Sequence, residues 1–261
     1  MSLRYFFPGF RSKALTFSYD DGQQYDRRLV GLFNHYQLKA TFHLVSGLFD
    51  RDPWVSSREV RSLYQGHEIS CHTLNHPLMN RIPQTEIMRE IWTDRNNLEK
   101  LAGYPVQGMS YPCGECSEEI AGFCRSAGII YSRTIISTGK FALPDDFLFW
   151  NPTCHHNEVE KYIDPFLKCY YDMSVFYVWG HSHEFQTEAD WNRMEKFCRE
   201  ISGKVEIWYA TNIEICRYVQ AVRGLVISCD GTLAYNPSAE IVYCMNDEKR
   251  IEIRPGTIKE L

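Results

Sequence analysis

Nothing in this 261-residue chain is long and apolar enough to cross a membrane as a helix, and it contains no run of basic residues. The second absence, together with a net charge of -5, argues against nucleic acid or an anionic membrane surface as partner. The start, Met1-Ser2-Leu3-Arg4-Tyr5-Phe6-Phe7-Pro8, has too short an apolar run for a secretory signal and no small-residue cleavage site before the first strand. Without an export signal, the ten cysteines are expected as reduced thiols in a cytoplasm. Internal repeats and low-complexity linkers are also absent, and Cys113-Gly114-Glu115-Cys116 has no second Cys-x-x-Cys pair with which to build a structural zinc site. What is present is 44% hydrophobic residues, enough for one substantial core in a barrel-sized domain. Aromatic residues make up 14%, which suits sugar stacking and core packing alike.

Short β-rich runs alternate with longer amphipathic segments, as in parallel β-α units. Strands are expected near 14–19, 40–45, 67–71, 107–112, 129–135, 175–180 and 205–210. One helix is expected after Thr85 as N-cap, with Ile87, Ile91, Leu98 and Leu101 on one side and Gly103 as its stop. A second follows Thr187, with Asp190 completing a capping box and Trp191, Met194, Cys198 and Ile201 inward. Seven or so units predict an α/β fold with a closed or nearly closed barrel, residues 1–222. From 223 to 261, short strands with turns and the alternation around Ile251 and Ile253 predict a small antiparallel β extension packed on the barrel.

The chemistry begins at Asp20-Asp21-Gly22, which ends the apolar run Ala14–Tyr19. Adjacent carboxylates at a strand end repel, and a metal cation would compensate them. Downstream, His72-Thr73-Leu74-Asn75-His76 offers two imidazoles at i, i+4, which converge on one ion if the segment makes a helical turn. Asp21, His72 and His76 are the expected ligands of one divalent ion, Zn²⁺ first on ligand type, with Co²⁺ or Ni²⁺ also compatible. Asp20-Asp21, His72-His76, Pro112-Cys113-Gly114 and His181 each follow a predicted strand, so a parallel barrel gathers them at its C-terminal rim.

These motifs, in this order, resemble those of the polysaccharide deacetylases, carbohydrate esterase family four. The resemblance extends to Gly108-Met109-Ser110-Tyr111-Pro112-Cys113-Gly114 and Val178-Trp179-Gly180-His181, and covers roughly residues 14 to 215. It implies a distorted (β/α)7-type barrel and metal-dependent removal of acetyl groups, N-acetyl above O-acetyl, from a saccharide or sugar conjugate. It further implies Asp20 as general base, His181 as general acid, and the turn at Pro112 and Cys113 as a backbone oxyanion contact, with Trp150 lining the acetyl pocket. The expected partner is an acetylated saccharide or related small amide; self-association is compatible with the sequence.

Two departures keep alternatives open. Ser110 stands where the family has an arginine that orients the catalytic Asp, and no Asp-x-x-Asp-Trp motif is recognisable. A hydrolase of linear or cyclic amides and an inactive carbohydrate-binding homologue are the other readings. Arg133, closing the next predicted strand, either holds Asp20 bidentately in place of the missing arginine or lies at the surface. Of the remaining histidines, His67 is expected as a satisfied core residue and His43 as structural or cleft-lining. His155-His156 is expected in a solvated loop, and His183 competes with His181 for the acid role.

Overall fold

The computed structural model describes residues 3–261. After β1 (Leu3–Phe6), the strand β2 (Lys13–Asp21) is buried along almost its whole length because both of its edges are occupied. One edge pairs in parallel with β8 (Ser174–His181); the other pairs with β3 (Ala40–Leu44) along its C-terminal half and with β9 (Ile207–Tyr209) along its N-terminal half. The sheet continues outward from β3 through β4 (Glu68–Cys71), β5 (Gly108–Ser110) and β6 (Tyr131–Arg133), all parallel. The segment from Trp150 to β7 (Cys154–His155) nearly closes the barrel. Trp150 exchanges backbone bonds of 3.1 Å with Ser132 and Thr134 beside β6, while β7 pairs with β8.

Helices α1 (Asp26–His35), α2 (Val60–Leu63), α3 (Gln84–Ala102), α4 (Glu118–Ser126), α5 (Ile163–Lys168), α6 (Glu188–Ile201) and α7 (Asn212–Arg223) alternate with the strands. The period-2 alternation of β2 divides its side chains between two environments. Phe17 packs outward against Phe33 of α1, with ring centroids 4.5 Å apart, and against Phe197 of α6. Thr16, Ser18 and Asp20 turn into the barrel, where Thr16 Oγ1 donates to Asn212 at 2.7 Å and Ser18 Oγ lies 2.7 Å from His43 Nε2. The barrel interior therefore carries a polar hydrogen-bond network.

The expected strands all form, some shorter than expected. The α6 capping box forms at Thr187 and Asp190 as expected. Helix α3 starts earlier than expected, with Pro83 at the N-cap position and Thr85 inside the first turn. The C-terminal extension is two three-stranded antiparallel sheets rather than one. The strands β10 (Val226–Ile227), β11 (Leu233–Tyr235) and β14 (Ile258–Glu260) form the first, while β12 (Val242–Asn246) and β13 (Lys249–Ile253) join β1 in the second. Leu3–Phe6 pairs with Tyr243–Asn246, so β1 sits with the C-terminal sheet. Ile251 and Ile253 face inward, and their neighbours Arg250 and Glu252 are exposed, as the alternation requires.

Candidate metal and catalytic site

The last residues of β2 turn in different directions. Asp20 points into the barrel and is 3% exposed, whereas Asp21 takes a left-handed backbone at φ +81 and presents its carboxylate at the rim. Thr73 and His76 are left-handed too, at φ +65 and +56. Such conformations cost energy in non-glycine residues and concentrate at functional sites. The segment from His72 to His76 is thus an irregular turn rather than a helical one, consistent with Pro77 disfavouring helical backbone at His76. The turn still brings the rings together, with centroids 4.8 Å apart.

His72 Nδ1 lies 2.9 Å from the Ser110 carbonyl oxygen, which can only accept, so the proton sits on Nδ1 and the Nε2 lone pair faces the carboxylates. His72 Nε2 is 3.8 Å from Asp21 Oδ1, and His76 Nε2 is 3.9 Å from the same oxygen. Two ligands of a tetrahedral ion stand about 3.4 Å apart, so modest side-chain rotation would seat one. Asp21, His72 and His76 are one of two groups among the described residues with the composition and proximity to hold a metal ion.

Asp20 is held from two sides and faced by the His72 ring on a third. Ser110 Oγ donates to Oδ1 at 3.0 Å, Arg133 donates from Nη2 to Oδ2, and His72 Nε2 lies 3.8 Å away. Burial pushes the Asp20 carboxyl upward, but the Arg133 guanidinium and the neighbouring imidazoles more than offset it and hold the group well below the usual carboxylate range. Arg133 is fully buried, which decides between the two placements expected for it. It does not clamp Asp20 bidentately, however. Its Nε donates to Ser18 Oγ at 3.0 Å and its Nη1 to the Thr134 carbonyl at 3.1 Å, while its Cζ lies 4.6 Å from the Trp179 ring centroid.

His181, on β8 directly beside Asp20 in register, places Nε2 4.0 Å from Asp20 Oδ2. Its Nδ1 lies 3.4 Å from Glu184 Oε2, and its backbone N–H donates to the same oxygen at 2.9 Å. Burial disfavours the imidazolium, but Glu184, Asp20 and Asp21 outweigh it and raise the His181 pKa above its ordinary value. His183 faces the other carboxylate, with Nδ1 3.8 Å from Asp21 Oδ2. His67 is the satisfied core residue expected, accepting from Ala40 N–H and meeting Asn34 Oδ1, each at 3.1 Å. His43 is buried beside Asp20, and burial lowers its pKa to about 3. Pro112 and Cys113 form a short turn just past β5, where Cys113 is left-handed at φ +54 and exposed at the rim.

Two expectations are corrected. Trp150 is fully buried, packed against Tyr131, Phe147 and Tyr177, so it is a core residue; the aromatic beside the site is Trp179, 5.9 Å from the His181 ring. His155 and His156 do not lie in a solvated loop: His156 is 2% exposed and both face Glu184. Sequence reading also missed Glu184, whose only signal is its place three residues after His181. The large surface concavities lie elsewhere. One of about 650 Å³, lined by Phe141, Pro165, Tyr170 and Tyr171, reaches Ser174 at the opposite end of β8 and holds none of these groups.

Fold and site together define an α/β barrel with a candidate metal site at its rim. Residues 9–132 match the family model of polysaccharide deacetylase. The chain is 28% identical over 117 residues to a peptidoglycan-N-acetylglucosamine deacetylase of Bacillus cereus, covering 44% of this chain and 42% of that relative. It therefore spans less than half the length of that relative. Among solved structures, a Mycobacterium smegmatis protein described as a polysaccharide deacetylase superposes with a TM-score of 0.64 at 15% identity, over 83% of this chain and 93% of that one. PuuE allantoinase superposes with a TM-score of 0.66 at 12% identity, over 81% and 91%. At such identities these two likenesses establish the fold. Over residues 9–132 the family match agrees with the motif resemblance: this stretch is similar to the polysaccharide deacetylases.

Proposed function

We propose that the protein is a metal-dependent hydrolase that removes an acetyl group, N-acetyl in the first instance, from a saccharide or sugar conjugate. The observation that carries this is the juxtaposition of an Arg133-held carboxylate, Asp20, with the Asp21, His72 and His76 group on one side and His181 on the other. A divalent ion there, Zn²⁺ by ligand type, would polarise the acyl carbonyl and acidify a water molecule near neutral pH. Asp20, kept ionised by Arg133 and oriented by Ser110, takes the proton of the attacking water. His181, its charged form favoured by Glu184, delivers a proton to the departing amine. The backbone N–H of Cys113, in the turn opened by Pro112, is the candidate donor to the substrate oxyanion.

The curated relative acts, by its name, on peptidoglycan N-acetylglucosamine, which makes acetylated amino sugars the first substrates to test. Action inside the cell would favour short soluble saccharides over wall polymer. The decisive experiment compares metal-stripped with metal-restored protein on acetylated sugars, acetylated amines and cyclic amides. Metal-dependent acetate release from the sugars, with about one ion lost in His76→Ala, is expected. Turnover of a cyclic amide alone would move the protein to the other hydrolase reading, and no turnover with metal bound would make it a binding protein.

A further inference from the structure

The second group with metal-ligating composition lies behind His181, and of its members only Glu184 enters the scheme above, through its contact with His181. His155 Nε2 is 3.0 Å and His156 Nε2 is 3.6 Å from a single oxygen, Glu184 Oε2. Two ligands at ~2.0–2.1 Å from a tetrahedral ion stand about 3.4 Å apart, so these separations bracket the required edge more closely than those around Asp21 do. The group combines two imidazoles and one carboxylate, ligands suited to Zn²⁺ or Co²⁺.

His156 is the informative member. It is 2% exposed, and neither ring nitrogen has a hydrogen-bond partner among the described residues. Buried imidazoles without partners are uncommon because desolvating such a group without compensation is costly. The ring is fixed, stacked on Phe185 with centroids 4.4 Å apart and on Tyr19 at 5.7 Å, and its Nδ1 side abuts Gly180. Nε2 is thereby aimed at Glu184. His155 is 20% exposed at its side chain and Glu184 31%, which leaves an approach from solvent.

We propose that His155, His156 and Glu184 form a second divalent-cation site, independent of the site at Asp21. On binding, the Nε2 proton of His155 that now points to Glu184 leaves that nitrogen, and Nδ1 takes the proton. The 3.4 Å contact from Asn157 N–H to Nδ1 is lost. Glu184 stays within reach of the His181 backbone N–H, so the ion would sit one carboxylate away from His181.

The test is stoichiometric and needs no turnover. Metal-stripped protein is dialysed against Zn²⁺ and its bound metal is measured by elemental analysis, with Co²⁺ absorption as a second readout. Two equivalents are expected for the unsubstituted chain and one for His76→Ala. His155→Ala should hold one, and the double variant none. His156→Phe preserves the stack and guards against a folding artefact; with unchanged circular dichroism it should also hold one. Metal content in His155→Ala and His156→Phe equal to that of the unsubstituted chain would overturn the proposal and leave the three residues as a buried ion-pair network. A His76→Ala variant that retains all its metal would instead count against the Asp21 site, so the two failures are distinguishable.

Discussion

The contact of Arg133 with Asp20 joins two strands far apart in sequence. The guanidinium reaches Asp20 from β6, while Ser110, on the neighbouring strand in register with it, supplies a hydroxyl to the other carboxylate oxygen. A buried carboxylate deprived of its partner is expensive, so Arg133→Met should destabilise the protein by about 3–5 kcal/mol. Arg133→Lys keeps the charge but gives up the fan of bonds to Ser18, Thr134 and Asp20 and the contact with Trp179. On the proposed function it should fold, keep its metal and lose about ten- to a hundredfold in kcat, with KM little changed, because orientation of the base matters only in the reaction step. Steady-state kinetics on an acetylated sugar would decide; an unaltered kcat in Arg133→Lys would show that Arg133 is needed only to neutralise Asp20. The residue types at this site were legible because Asp20-Asp21 and His72-His76 are local in sequence. The Arg133 to Asp20 contact was legible only through strand order. Glu184 was not legible, since a glutamate following a histidine carries no distinctive signal.

Elements were read well where a local pattern marks them and poorly where pairing is long-range. The box at Thr187 and Asp190 fixed the start of α6, whereas α3 begins at Gln84, with Pro83 at the N-cap position and no side-chain cap to mark its start. A two-residue strand such as Cys154–His155 has no periodicity to detect, and the union of β1 with β12 joins the two ends of the chain. The same contrast of local and tertiary control can be tested with two glycines. Gly180 lies on β8, where a Cβ would collide with the His156 ring, which packs against Tyr19 and Phe185. Gly122 lies inside α4 and would meet nothing within 4 Å. Gly180→Ala should destabilise by about 1–3 kcal/mol as an overpacked site, and Gly122→Ala should stabilise by about 0.5–1 kcal/mol as a helix substitution. Urea midpoints would measure both. Equal effects would mean that β8 and the His156 ring yield more readily than their packing implies.

At the scale of the whole molecule, the barrel encloses ionisable groups that most cores exclude, and this makes stability depend on pH. Glu68, on β4, is 6% exposed; its carboxylate accepts from Thr41 Oγ1 and Tyr131 OH, each at 2.7 Å, and from Ile213 N–H at 2.9 Å. Burial raises its pKa despite these donors, from 4.5 to about 7. Between those values the folded chain binds a proton that the unfolded chain has released. The contribution of Glu68 is therefore fully present below pH 4.5 and is lost as pH rises through about 7. A shift of this size corresponds to about 3 kcal/mol at most. Glu68→Gln removes the titration, and its amide can be accommodated if Tyr131 turns its proton to Ser70 Oγ, 3.2 Å away. Chemical denaturation of both proteins across this range isolates the residue, because the other titrating groups cancel in the difference. The stability of the unsubstituted chain relative to Glu68→Gln should fall steadily from pH 4.5 to 7; a difference that is flat, or that grows with pH, would show that Thr41, Tyr131 and Ile213 stabilise the carboxylate enough to cancel its burial.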